Sequence, residues 1–315
     1  MSRALHAGWA VLALAIALLT LSPAKAESFY VEGEGGVPLA VTVAGPEDGP
    51  EILFLHGIGM GAQSFSEQLE SDLAERFRMV AFDLRGHGMS GKPSVKDAYD
   101  NREVWAGDVE RVIAATGLKR PIIVAWSYGT LVAADYLTLK GTDCVSGLVM
   151  ISSVGGLLPQ SPGSEPPDAA MLAQLQRYRE LREIPAVDVQ QAATEILAPM
   201  LYETGSEGPS AQWIARTRAF GILVPPYAQP YLRAHPADNA ALIPDLQEVP
   251  LELFRGSKDF ALSDADLAAF KQALPNAQVR IMEGAGHSMF AEQPAAFNAV
   301  IAAFVVKNWS IRNDR

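Results

Sequence analysis

The chain has 315 residues, 25 Lys and Arg against 36 Asp and Glu, a formal net charge of −11 and one cysteine. That acidic balance, with no run of five like charges, argues against nucleic acid or anionic membrane as a partner and against a polybasic catalytic cleft. A lone Cys144 cannot form an intramolecular disulfide, so stability must come from a core, and this residue reads as a small buried hydrophobe.

Residues 1–26 read as a secretory signal. Arg3 gives a positive start, the apolar stretch runs only from Trp9 to Leu21, and AKA at 24–26 places small residues at the cleavage positions. A spanning helix needs roughly 20 apolar residues, so the expectation is cleavage before Glu27, export to periplasm or medium, and no stable membrane insertion afterwards.

SFYVE and LAVTVAG, separated by Gly33, Gly35 and Gly36, predict a hairpin of two antiparallel strands. EILFLHG is an unbroken apolar run of strand length, as expected of a strand buried on both faces. Phe65, Leu69 and Leu73 recur every four residues and predict a helix before the next buried strand, RMVAFDL. Trp105, Val109, Val112 and Ile113 mark an amphipathic helix over 101–116, ended by Gly117. PIIVAW reads as a strand, 128–140 as a helix and VSGLVMIS as a sixth strand. Further on come strand LELFRG, helix 263–274, strand AQVRIME and a last helix with Phe297, Val300, Ile301, Phe304 and Val305 on one face. Buried strands alternating with helices give an α/β fold: a mostly parallel eight-stranded sheet with helices on both faces.

Twelve of the 21 prolines fall in residues 155–245, a density that central strands do not tolerate. That stretch also holds helical patterns, so it is expected to be a helical cap inserted after the sixth strand. The core is then 27–154 and 246–315, with PQSPGSEPPD as the hinge. Met171, Leu175, Tyr178, Leu201, Tyr202, Trp213, Phe220, Tyr227 and Tyr231 are the cap's candidates for lining a cleft, and periodicity does not separate them from residues that merely pack.

Ser127, in VAWSYGT, sits between a strand and a helix with small residues, Ala125 and Gly129, two positions away on each side. This is the context of a nucleophile held out of a tight strand-to-helix turn, and it is also that of a helix N-cap. A serine hydroxyl needs a base. His56 and His87 precede Ser127, and His235 in RAHPAD is expected to be a surface residue. His287, in the glycine-flanked loop EGAGHSMF after the last strand, remains. Asp259 follows strand LELF by a short turn and can orient that imidazole. Asp143 precedes its strand, Asp245 lies at the cap exit, and Asp264 and Asp266 on the following helix are weaker rivals.

FLHGIG, DLRGHGMS, AWSYG, GSKD and GAGHSMF, in this order over residues 52–290, resemble the signatures of the α/β-hydrolase superfamily, more closely its serine esterase and cofactor-free haloperoxidase-like branch. The resemblance implies Ser127 as nucleophile, His287 as base, Asp259 as orienting acid, and the amides of Ile58 and Tyr128 as oxyanion hole. Asp83, Arg85, His56 and His87 are expected to be structural. No metal or organic cofactor is implied. The partner is a small-molecule acyl substrate, an ester or lactone of small or medium size. Cleavage of a carbon–carbon bond in a β-diketone-like compound and ligand sensing without catalysis are the alternatives, and the oligomeric state is open.

Overall fold

The computed structural model describes residues 26–159, 169–203 and 208–313. The expected signal segment, apart from Ala26, and most of the expected hinge lie outside the described residues. Eight strands form one sheet: β1 (Glu27–Glu32), β2 (Pro38–Ala44), β3 (Glu51–Leu55), β4 (Arg78–Phe82), β5 (Ile122–Trp126), β6 (Gly147–Ile151), β7 (Leu251–Gly256) and β8 (Gln278–Met282). Their spatial order is β1-β2-β4-β3-β5-β6-β7-β8. The β1/β2 and β2/β4 pairs are antiparallel and the remaining five are parallel.

The helices are α1 (Ser66–Leu69), α2 (Arg102–Thr116), α3 (Tyr128–Lys140), α4 (Ala169–Arg182), α5 (Val187–Leu201), α6 (Ala211–Ile222), α7 (Gln229–Arg233), α8 (Ile243–Leu246), α9 (Asp264–Ala273), α10 (Met289–Glu292) and α11 (Pro294–Asn313). Helices α4 to α8 all lie between β6 and β7.

Alternation along the strands assigns the two faces. Leu53, Leu55, Ile123, Ala125, Leu148 and Met150 pack with Trp105 and Val109 of α2, Val132 of α3 and Phe270 of α9. Their neighbours Ile52, Phe54, Ile122, Val124, Val149 and Ile151 pack on the opposite side with Phe297, Ile301 and Val305 of α11. Strands β3, β5 and β6 are buried throughout, which is why they read as unbroken apolar runs. Each fully buried large aliphatic contributes about 1.5–3 kcal/mol, so the core compensates for the absence of a disulfide.

Helix ends follow the sequence signals. Asn101 accepts from the Val104 amide at the start of α2, and Gly117 ends it at φ 73°, a conformation that favours glycine. Ser263 and Asp266 form a reciprocal capping box on α9. One expectation fails locally: the repeat of Phe65, Leu69 and Leu73 is not one helix. It is split into a 3₁₀ turn (Ala62–Phe65), α1 and a second 3₁₀ turn (Asp72–Glu75). The Ser71 hydroxyl accepts from the Leu73 amide and starts that second turn, while all three apolar residues still reach the core.

The sheet order reverses at β3, which lies between β4 and β5 although it precedes both in the chain. In open α/β sheets the crevice at the C-terminal strand ends beside such a reversal is where ligands bind. Here those ends carry the His56–Ile58 loop after β3 and Ser127 after β5.

Candidate active site

Ser127 joins β5 to α3 at φ 51°, ψ −116°. A non-glycine residue in the left-handed region costs about 1–3 kcal/mol and persists only where neighbours impose it. Its amide donates to the Ile151 carbonyl at 2.8 Å, and its carbonyl accepts from the Thr130 amide and hydroxyl at 3.0 and 2.6 Å. The first turn of α3 lies against the end of β3. A methyl group at Gly129 would sit 2.3 Å from the Leu55 carbonyl oxygen, and one at Gly57 would sit 3.3 Å from the Ser127 Cβ. Ala125 is fully buried, so its methyl is accommodated by the face of the sheet opposite Trp126.

The amides of Ile58 and Tyr128 have no protein acceptor among the described residues. Tyr128 opens α3, where first-turn amides point outward along the helix dipole. The Ile58 loop is fixed by His56. Its Nε2 accepts from the Leu84 amide at 2.9 Å, which leaves the proton on Nδ1 to donate to the Gly57 carbonyl at 2.8 Å. Burial depresses the His56 pKa to about 4, in keeping with a neutral ring. His56 thus ties the Gly57–Ile58 loop to the chain after β4.

The other ionisable residues of this region have similar structural roles. Asp83 accepts from the Ala62 and Met89 amides, both at 2.7 Å. Arg85 forms a buried fork with Asp108, at 2.7 and 2.6 Å. His87 is buried against the Arg85 carbonyl, and burial holds its pKa well below the usual value.

His287 Nδ1 lies 2.8 Å from Asp259 Oδ1, and both side chains are buried. The same carboxylate oxygen accepts from the Ala261 amide at 2.9 Å. With Nδ1–H directed to the carboxylate, Nε2 of the neutral ring is left as an acceptor. The His287 backbone is anchored as well. Its carbonyl accepts from Trp126 Nε1 at 2.9 Å and from Ser152 Oγ at 3.0 Å. Ser152, at the end of β6, is the second non-glycine residue with positive φ, 61°. One residue earlier, the Gly286 amide donates to both Glu292 oxygens at 3.0 Å, and Glu292 also accepts from the Glu203 amide at 2.9 Å. Burial pushes the Glu292 carboxyl above its usual range. Of the rival acids, Asp264 pairs with Arg255, and Asp266 borders the open space beside Ser127 but is held by the cap of α9.

Ser127 and His287 line one cavity of about 260 Å³ with Met60, Trp126, Leu175, Leu197, Leu201 and Phe260. Ser127 also faces a second, more open space of about 680 Å³ beside Tyr128, Ser153, Leu158 and Leu262. Ile58, Ser127, Arg179 and Ala261 line both, so the hydroxyl stands where the two meet.

The segment between β6 and β7 supplies one wall through Leu175, Tyr178, Arg179, Leu197, Leu201, Gln229 and Arg233. Other aromatic residues there pack instead. The Trp213 indole donates to the Ser64 carbonyl at 2.8 Å, Tyr231 stacks on Tyr99, and the Tyr227 hydroxyl donates to the Lys92 carbonyl at 2.7 Å.

Two expectations are corrected. His235 is buried, not at the surface: Nδ1 is 2.8 Å from the Tyr128 hydroxyl, Nε2 bonds Asp135, and the ring stacks on Trp105. Its isolated position in RAHPAD carried no sign of that partnership. Cys144 is half-buried, with its thiol against the Gly141 carbonyl. Sequence reasoning also missed Ser152 and Glu292, which act on the His287 loop through contacts that no local pattern encodes.

The profile of the Alpha/beta hydrolase family matches residues 52–300, and the chain belongs to that family. A non-heme chloroperoxidase from Streptomyces lividans is 27% identical over 273 residues, covering 83% of this chain and 93% of its own length. A crystal structure of an aryl esterase, titled putative, from Burkholderia cenocepacia superposes with a TM-score of 0.78 at 26% identity, covering 90% of this chain and 100% of that one. An esterase from Rhodococcus sp. ECU1013 gives 0.77 at 25% identity, with coverage of 89% and 99%.

Proposed function

We propose that this hydrolase cleaves a small or medium carboxylic ester or lactone through an acyl-enzyme. The observation that carries the reading is a serine held at φ 51° in a largely apolar cavity shared with an imidazole whose Nδ1 is bonded to a buried carboxylate. The esterases among the structural relatives support the bond type.

In this reading Ser127 Oγ attacks the carbonyl carbon while His287 Nε2 takes its proton. Asp259 keeps the other ring nitrogen protonated and stabilises the imidazolium that forms. The carbonyl oxygen becomes an oxyanion that accepts from the Ile58 and Tyr128 amides, and losing one such donor costs on the order of 100- to 1,000-fold. The imidazolium returns the proton to the departing alkoxide as the C–O bond breaks. Water then enters, His287 deprotonates it, and a second tetrahedral intermediate releases the acid and frees Ser127.

The two spaces meeting at Ser127 give the acyl and alcohol portions separate places. Turnover of p-nitrophenyl acetate by the purified protein, abolished in Ser127→Ala, is the expected result. Ligand binding without turnover would favour the sensor reading, and cleavage of a vinylogous diketone without ester turnover the carbon–carbon one.

The 1–26 segment supports export with residues 155–245 acting as a cap over the mature core. N-terminal sequencing of the exported protein should begin at Glu27, and a retained Met1 would refute cleavage.

A further inference from the structure

The cavity beside Ser127 and His287 is apolar over most of its lining, yet Arg179 of α4 and Arg233 at the end of α7 both border it. Neither guanidinium has a carboxylate within ion-pair distance among the described residues. The nearby acids are engaged or weakly placed: Glu180 pairs with Arg177, Glu183 acts on Arg233 only through its field, and Asp266, which borders the open space with Arg179, is held by Ser263 in the cap of α9. The third arginine of the group, Arg182, is buried away from the cavity; its Nη2 donates to the Val224 carbonyl at 2.8 Å, Nη2 and Nε reach the Gln229 side-chain oxygen at 2.8 and 3.2 Å, and its Nη1 has no partner among the described residues. Arg179 and Arg233 repel each other, and burial disfavours the charge on Arg233. Two like charges thus stand at the mouth of a largely apolar cavity with no carboxylate partner, Arg233 Nη2 reaching only the Gln229 side-chain amide at 3.4 Å.

Resting on the ester reading, the geometry points to a substrate that carries a carboxylate: Arg179 and Arg233 form an anion subsite that selects esters or lactones of dicarboxylic or carboxylate-bearing acids. A planar guanidinium matches a carboxylate through two parallel hydrogen bonds. Arg179 lines both spaces that meet at Ser127, so an anion held there lies a few bonds from the reacting carbonyl. The apolar floor of Met60, Leu197 and Leu201 fits the methylene chain between the two groups. The acidic remainder of the surface slows the approach of anions in general, so the selectivity belongs to this pair and weakens as salt screens it.

The test is the ratio of kcat/KM for mono-(4-nitrophenyl) adipate to that for 4-nitrophenyl hexanoate, two esters of equal chain length that differ by one carboxylate. The ratio exceeds one in the parent. It falls at least tenfold in Arg179→Gln/Arg233→Gln and further in Arg179→Glu, recovers in part in Arg179→Lys, and declines with added NaCl. Both side chains keep much of their surface in solvent, with Arg233 only partly desolvated at the cavity rim, so the variants are expected to fold, and a thermal melt checks this. A ratio unchanged within twofold in the double variant, with hexanoate still turned over, overturns the anion subsite alone. No turnover of either ester by the parent overturns the ester reading and the subsite with it.

Discussion

Gly129→Ala tests how tightly the turn at Ser127 is built. The added methyl would lie 2.3 Å from the Leu55 oxygen, 2.7 Å from its carbonyl carbon and 2.9 Å from the His56 oxygen. All three are main-chain atoms of the segment that leads to Ile58, so no side chain can rotate away. Restoring ordinary contact requires α3 and the β3 loop to separate by roughly 1 Å, and a displacement of that size in a reacting site costs about 100-fold in rate. Overpacking itself costs about 1–3 kcal/mol. A domain of this size loses about 2–4 °C in Tm per kcal/mol, so the melt falls by roughly 2–12 °C.

Gly117→Ala is the control. It places alanine at φ 73° with nothing within 4 Å, costing about 1–2 kcal/mol without touching the site. The assay is kcat/KM on p-nitrophenyl acetate beside a thermal melt. If Gly129→Ala keeps parental kcat/KM within twofold while Gly117→Ala behaves as stated, the close approach of α3 to the β3 loop is not what aligns the two amides.

Other outcomes follow from single contacts. Asp259→Asn turns the carboxylate that faces His287 Nδ1 into an amide and lowers kcat on the order of 1,000- to 10,000-fold with Tm little changed; a loss under tenfold would show that Asp259 does not set the tautomer. Tyr128→Phe removes the buried hydroxyl bonded to His235 and costs about 1–3 kcal/mol, read as a lower urea midpoint; an unchanged midpoint would show that the contact contributes nothing. His56 has a folded pKa of about 4 against 6.5 when exposed, so the unfolded chain binds the proton first. The stability it supplies as a neutral ring is complete above pH 6.5 and is lost as pH falls toward 4, by roughly 3 kcal/mol. His56→Gln therefore loses less stability than the parent between pH 7 and 4.5, and parallel losses in urea titrations would contradict the burial argument.

The strand pattern was legible because a sheet covered on both faces demands continuous apolar runs, and β3, β5 and β6 have them. Ser127, Asp259 and His287 could be picked out as candidates because each directly or closely follows a strand, with glycine nearby, so topology alone carries them to one end of the sheet. The Phe65–Leu73 repeat misled because apolar spacing does not register that Ser71 diverts the backbone into a new turn. His235 was misjudged because its partners, Tyr128 and Asp135, are 107 and 100 residues away in the chain. Arg179 and Arg233 escaped notice for a related reason: net charge averages over the surface, and only the folded helices bring these two to one cavity.

The claim that Ser127 is the nucleophile is tested most directly by covalent labelling. A fluorophosphonate should add once to the parent, with the adduct on the peptide containing Ser127 by mass spectrometry. Ser127→Ala should take up no label, and His287→Ala should react far more slowly. Undiminished labelling of Ser127→Ala, or an adduct mapped to another residue in the parent, would contradict the account.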